Sequence, residues 1–381
     1  MKQIIQETKT ERKKTEELNR GCFVKDYTEL QELLSDTYTL DAAAVTEAKK
    51  RWDSIAKPIG SLGIFEDMIG RVAGIQKTPD IHLHQKAMVV FCSDNGVVEE
   101  GVTQTDSSVT AIVTRNIAKG CANINHMAKT VNAQVIPVDI GINSDVAETE
   151  VWQRKVSYGT RNIAKEPAMT RENMINAVRT GMELAGELKA KGFHILGTGE
   201  MGIGNTTTSS AVASALLNLL PEEVTGRGAG LSDDGLKRKI EVIYQALEIN
   251  NPDREDPFDI LMKLGGYDIA GMVGLYLGGM KFGVPIIIDG FISSTAALLA
   301  KRICTGVTDF MLPSHKSKEP AANLILKELG LTPVITGNLA LGEGTGAVML
   351  FPLLDMALNV YRSSTTFDAI QIKAYERFEK S

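Results

Sequence analysis

Within Leu341-Gly342-Glu343-Gly344-Thr345-Gly346-Ala347 one carboxylate stands among three glycines, directly before the helical run Val348 to Leu358. A glycine-rich turn entering a helix aims free backbone N–H groups and the positive end of the helix dipole at one spot, an arrangement suited to phosphate. A carboxylate in that turn needs another task, and Glu343 is a candidate general base; a solvated loop glutamate is the plain alternative. A second such turn is expected at Gly197-Thr198-Gly199-Glu200-Met201-Gly202-Ile203-Gly204-Asn205-Thr206-Thr207, between the apolar run Phe193 to Leu196 and the helical stretch Thr208 to Leu220. Its first six residues form a literal G-x-G-x-x-G, which after a strand and before a helix would suggest a dinucleotide pyrophosphate. Glu200 inside that cradle repels a pyrophosphate, and no strand ending in an acidic residue follows about 20 positions on. A single nucleotide phosphate fits these residues better.

Other chemistries find less support. His82 and His84 form an H-x-H, but the sequence offers no third ligand nearby for zinc. His315 is better suited to orienting a loop or touching substrate. There is no G-x-x-x-x-G-K-[ST] for ATP, and no serine or cysteine in a nucleophile elbow. Neither a cofactor nor a metal is expected.

The elements that must position these residues alternate in type. Strands are expected at Ala87 to Cys92, Gln134 to Ile140, Phe193 to Leu196, Val284 to Ile288, Asp309 to Leu312 and Pro333 to Thr336. Helices are expected at Ser108 to Ala128, Arg171 to Lys191, Ser232 to Leu247, Ser294 to Ile303 and Glu319 to Leu329. This predicts an α/β fold, a mostly parallel, Rossmann-like sheet with helices on both faces. Ligands of such sheets bind beyond the carboxyl ends of the strands, where Asp94, Glu200, Asp289, Ser314 and Gly337 fall. Residues 40–77 and 347–379 read as helices without strands between them and predict a small helical domain built from both chain ends. The expected division is a charged extension over 1–28, a helical domain over 29–84 with 347–381, and a catalytic α/β domain over 85–346.

Forty-one basic against forty-seven acidic residues give a net charge of −6, and without a basic stripe nucleic acid is not an expected partner. Cys22, Cys92, Cys121 and Cys304 lie far apart with no C-x-x-C, which reads as reduced thiols of a cytoplasmic protein. The first twenty residues are polar and lack the apolar core of a signal peptide. The apolar stretch Ile269 to Ile292 is interrupted by Lys281 and loosened by six glycines, so it reads as a buried helix followed by a strand, not a membrane span. The N-terminal extension reads as a solvated or loosely docked helix, with a partner-binding arm as the sharper alternative.

The two glycine-rich segments together resemble the signatures of nicotinate-nucleotide:dimethylbenzimidazole phosphoribosyltransferases, which activate the lower ligand of cobalamin. Six further segments resemble the family in the same order: Lys57 to Gly63, Ser93 to Val97, Thr225 to Leu231, Leu264 to Gly266, Ile288 to Phe291 and Ser314 to Ser317. The resemblance runs from about residue 30 to the C-terminus. It implies phosphoribosyl transfer from nicotinate mononucleotide to an aromatic base, with Glu343 matching the family's catalytic glutamate and Glu200 a second carboxylate. Ribose binding is the first role considered for Glu200, with helix capping as the plain alternative. For phosphate it implies the N–H groups from Gly202 through Gly204 and Asn205 to Thr206, the Gly226-Arg227-Gly228 turn, Ser317 and Lys239, and Gly342 and Gly344 are further substrate-binding candidates. Asn95, Val97, Gln104 and the Leu341 side of the catalytic turn are candidates for the acceptor slot.

The resemblance also implies a homodimer, or a heterodimer as in relatives that use phenols. Asp94-Asn95-Gly96 stands where many members have Asp-His-Gly, and Ala321-Ala322 where they have Gly-His. These departures leave open a benzimidazole, a phenol or p-cresol as acceptor. They also leave open a non-catalytic partner paralogue, against which the retained Glu343 argues.

Overall fold

A computed structural model describes residues 22, 27–35 and 37–377. The expected extension over 1–28 lies outside the described residues, apart from Cys22, Tyr27 and Thr28.

Six parallel strands form the central sheet: β1 (Lys86–Ser93), β2 (Ala133–Gly141), β3 (Trp152–Gln153), β4 (Ile195–Met201), β5 (Ile286–Ile288) and β6 (Met311–Pro313), in the order β3-β2-β1-β4-β5-β6. This is the doubly wound order, and the chain reverses its direction of winding between β1 and β4. Every residue of β1 is buried, as expected of a strand covered on both faces. Val89 and Phe91 face one core together with Ile136, Val138, Leu196 and Ile288, whereas Met88, Val90 and Cys92 face the other with Ile195, Ile287 and Leu312. The strand period of two therefore divides the interior in two.

On the first face lie α1 (Thr28–Leu34), α6 (Arg171–Ala190), α7 (Asn205–Leu217), α9 (Asp233–Asn250), α10 (Pro257–Leu264), α11 (Tyr267–Phe282), α12 (Phe291–Ile303) and α13 (Ala322–Leu329), with the short α8 (Pro221–Val224). On the second lie α2 (Ala42–Ser54), α3 (Ile64–Gln76), α4 (Ser108–Ala118), α5 (Asn123–Thr130) and α14 (Thr345–Ser363). A short parallel pair, β7 (His315–Ser317) with β8 (Ile335–Leu339), leads into the Glu343 turn. Helices from the two chain ends touch: the Trp52 and Tyr361 rings lie 5.1 Å apart, and Arg51 Nε donates to Tyr361 O at 3.0 Å.

Several expectations need correction. The run Ser108 to Ala128 is two helices, because Gly120 turns the chain at φ 76°. Gly197 to Met201 is not a turn but the body of β4. Its glycines serve close packing: a Cβ at Gly197 would collide with the Met88 sulfur, and one at Gly199 would lie 2.6 Å from Glu343 O. No pyrophosphate cradle is left there. The glycine-rich stretch after Ile269 is the buried α11 followed by β5, and its glycines admit α6 at backbone contact, since a Cβ at Gly274 would collide with Val178 O. Among the described residues no helix is long and apolar enough to cross a membrane. The cysteines are not all free thiols: Cys22 and Cys304, 282 positions apart, form a disulfide, while Cys92 and Cys121 are free. Spacing along the chain carries no information about a pair brought together only by docking of the N-terminal segment.

Candidate functional site

A cavity of about 320 Å³ opens where β1 and β4 end, at the reversal of the winding. Its walls bring together Glu200, Gly202, Gly204, Asn205, Thr206, Gly228, Ser317, Gly342, Glu343 and Gln104. Four other candidates do not line it, among them Val97, which is fully buried. Lys239 is fully buried behind the wall and donates from Nζ to Thr206 Oγ1 at 2.8 Å and to Gly226 O at 3.2 Å, one layer from the cavity. Gly344 packs beneath the Glu343 turn, where a Cβ would lie 2.5 Å from Met88 Cε. Asn95 sits under the Gly202 to Gly204 loop, beside Gly266, instead of in an acceptor slot.

The catalytic turn is built from three successive residues with positive φ: Gly342 at 83°, Glu343 at 59° and Gly344 at 90°. The tight reversal requires left-handed backbone, which glycine tolerates and glutamate does not favour. Glu343 turns its carboxylate away from the helix that follows it. Its Oε2 accepts from Ile124 N at 3.1 Å, in the first turn of α5. The start of α14 is served instead by Asp289, whose Oδ1 accepts from Ala347 N at 3.0 Å. Glu343 thus directly precedes the start of α14, while its carboxylate is held by the start of a second helix from another part of the chain.

Glu200 is carried to the floor of the cavity by the end of β4, and its Oε2 accepts from Asn205 Nδ2. Burial foremost, and then the charges of Asp268, Asp289 and Glu343, raise its pKa to about 8 against the help of Asn205. Burial lowers Lys239 to about 8, with Glu319 opposing. Asp289 and His315 are adjacent; burial raises the first and lowers the second, each opposed by its neighbour. Sequence reasoning missed Asp268 and Glu319. A lone carboxylate at the head of an otherwise apolar, glycine-rich helix was the available signal for Asp268. Ala321 and Ala322, the departures from the family pattern, are buried against the core and stay out of the cavity. His194 lies beside the H-x-H, its ring centroid 4.4 Å from His84 and 5.8 Å from His82. That is the third imidazole the sequence did not reveal, yet among the described residues no group is arranged to hold a metal ion.

A buried lysine behind a wall of glycine-rich backbone, with two carboxylates lining the same cavity, has the parts that a group-transfer enzyme needs for a phosphorylated compound. A family model described as "Phosphoribosyltransferase" matches residues 38–372. Over 328 residues the chain is 47% identical to the nicotinate-nucleotide–dimethylbenzimidazole phosphoribosyltransferase of Acetivibrio thermocellus, covering 86% of this chain and 93% of that one. The protein of the same name from Clostridium acetobutylicum is 42% identical, covering 91% and 99%. The crystal structure of CobT from Thermus thermophilus superimposes with a TM-score of 0.82 at 36% identity, covering 87% of this chain and 99% of that one. The chain belongs to the nicotinate-nucleotide–dimethylbenzimidazole phosphoribosyltransferase family and is a pentosyltransferase.

Proposed function

We propose that this chain transfers the 5-phosphoribosyl group of nicotinate mononucleotide to 5,6-dimethylbenzimidazole, giving nicotinate and an α-riboside 5′-phosphate for cobamide synthesis. The observation that carries this reading is Glu343, held by a backbone N–H in the lining of a cavity that Lys239 backs through Thr206. The C1′–N bond of the donor breaks with its electron pair left on the pyridine ring, so the leaving group needs no proton. A benzimidazole nitrogen forms the new bond and becomes cationic, and Glu343 removes the proton from the other ring nitrogen. The N–H groups from Gly202 to Thr206 and the Gly228 and Ser317 walls bind the phosphate, and Lys239 behind them supplies the positive charge through Thr206. Glu200 binds the ribose. Gln104 and Leu341 border the acceptor.

The curated relatives named above carry dimethylbenzimidazole in their names, which favours it over phenol or p-cresol, and the inward Ala321 and Ala322 remove one motive for a non-catalytic paralogue. The protein is taken to be homodimeric, as the family resemblance implies, and cytoplasmic, a reading that keeps the polar N-terminus as its ground but loses that of four reduced thiols; light scattering that gives a monomer, or activity only after a second homologue is added, would refute the dimer. The transferase itself is tested by nicotinate release from nicotinate mononucleotide with 5,6-dimethylbenzimidazole, adenine, phenol and p-cresol supplied separately. Turnover with the benzimidazole is expected, and silence with all four acceptors would overturn the reading.

A further inference from the structure

Asp268 stands outside the cavity, in the first turn of α11, and is fully buried. Its Oδ1 accepts from Ile269 N at 2.9 Å and its Oδ2 from Asn205 Nδ2 at 2.8 Å. The same Nδ2 donates to Glu200 Oε2, so one amide nitrogen bridges two buried carboxylates. Backbone confines this bridge on both sides, because a Cβ at Gly202 would lie 2.8 Å from Asp268 Oδ2 and one at Gly266 2.5 Å from Oδ1. The free oxygen of Glu200, Oε1, points toward the catalytic turn, 2.9 Å from where a Gly342 Cβ would stand.

Two carboxylates sharing one donor in a dry site cannot both hold full charge, so one keeps a proton. The charges that act on Glu200 are those of Asp268 on α11, Asp289 after β5 and Glu343 in the turn before α14, with the Cys92 thiol on β1 nearby; His315, beside Asp289, and Arg227 line the same cavity. Asp268 has the start of a helix to favour its negative charge. Burial raises Asp268 to about 6 and Glu200 to about 8, so at neutral pH the proton resides on Glu200. We propose that Asp268 is a positioning residue of the transfer reaction: bridged by Asn205, it fixes Glu200 so that Oε1 meets the donor ribose as a hydrogen-bond donor. This rests on the transferase reading of the cavity.

The test is an infrared titration of the free enzyme, which reads protonated carboxyl carbonyls without any turnover. The band lost in Glu200→Gln identifies Glu200, and in the wild type it should disappear as the pH rises through about 8. Asp268→Asn removes a neighbouring negative charge and should move that midpoint down by roughly one unit. Asn205→Ala removes a donor that favours the charged form and should move it up. The alkaline limb of kcat, measured at saturating nicotinate mononucleotide so that bound phosphate keeps Lys239 charged, should shift in the same two directions. Residues that merely supported the fold would lower kcat without opposite shifts. An unmoved midpoint in Asp268→Asn, equal shifts in both variants, or no carbonyl lost in Glu200→Gln overturns the proposal. If Asp268→Asn fails to fold, Asn205→Ala decides by itself. Wild-type enzyme that releases no nicotinate refutes the transferase reading separately, since the infrared midpoints are still read.

Discussion

Glu343 combines a strained backbone with a restrained carboxylate. Left-handed backbone costs a residue with a Cβ about 1–2 kcal/mol, and such strain is retained where geometry serves function. Lys239 is its cationic counterpart, one layer behind the lining residue Thr206. Its neighbour Lys237 is 75% exposed, while Lys239 is sealed inside, so in the unliganded enzyme its charge is only weakly held. A phosphate binds the charged form, so affinity for nicotinate mononucleotide should be constant at neutral pH and fall as pH rises through about 8. Lys239→Met should remove the part of that dependence that comes from the lysine, leaving that of Glu200, and weaken binding about 10- to 100-fold, corresponding to roughly 1.5–3 kcal/mol for a charged hydrogen bond. Calorimetry across the pH range checks both, and a wild-type affinity independent of pH would count against Lys239 as the phosphate ligand. At this scale the sequence was informative about type and less so about direction. A glutamate among glycines was legible, but that its partner is Ile124, 219 positions earlier, was not, because only packing brings α5 to the turn.

At the scale of elements, β4 and the catalytic turn are built as one unit. The glycines of β4 that resembled a nucleotide loop are there because the Glu343 turn lies on the strand, with Gly199 2.6 Å from Glu343 O once a Cβ is added. Gly199→Ala should therefore displace the turn and lower kcat about 10²-fold, the cost of misplacing a catalytic group by about an ångström. Unchanged turnover, with circular dichroism confirming the fold, would contradict this coupling. The strand was misread as a turn because periodicity cannot separate glycine used for backbone freedom from glycine used for close approach. The Cys22–Cys304 bond belongs to this scale too, joining the N-terminal segment to the end of α12. Thiol titration of the denatured, unreduced chain should find two of the four cysteines reactive, Cys92 and Cys121. Four reactive thiols would refute the bond between Cys22 and Cys304.

At the scale of the whole molecule, the doubly wound order decides where the site lies. The alternation of strands and helices was legible because parallel strands buried on both faces are nearly continuous apolar runs, and β1 is one from Ala87 to Cys92. The reversal between β1 and β4 was not legible, since strand order is a property of crossovers and not of segments. We propose that the helices of 29–84 and 347–381 act as a small unit beside 85–346, an arrangement supported by the contacts of Arg51 and Trp52 with Tyr361. Hydrogen exchange should then show α2, α3 and α14 opening together before the central sheet; exchange of all three only by global unfolding would reject a separate unit.

The central claim is that Glu343 takes the acceptor proton during phosphoribosyl transfer, and Glu343→Gln tests it most directly because glutamine keeps the size and the acceptor oxygen toward Ile124 N while losing basicity. Nicotinate release and nicotinate mononucleotide binding are measured on the same preparation. The account predicts binding within about twofold of the wild type and turnover lower by about 10² to 10⁴. Near-normal turnover would place the base elsewhere, and turnover lost together with binding would make Glu343 a binding residue instead.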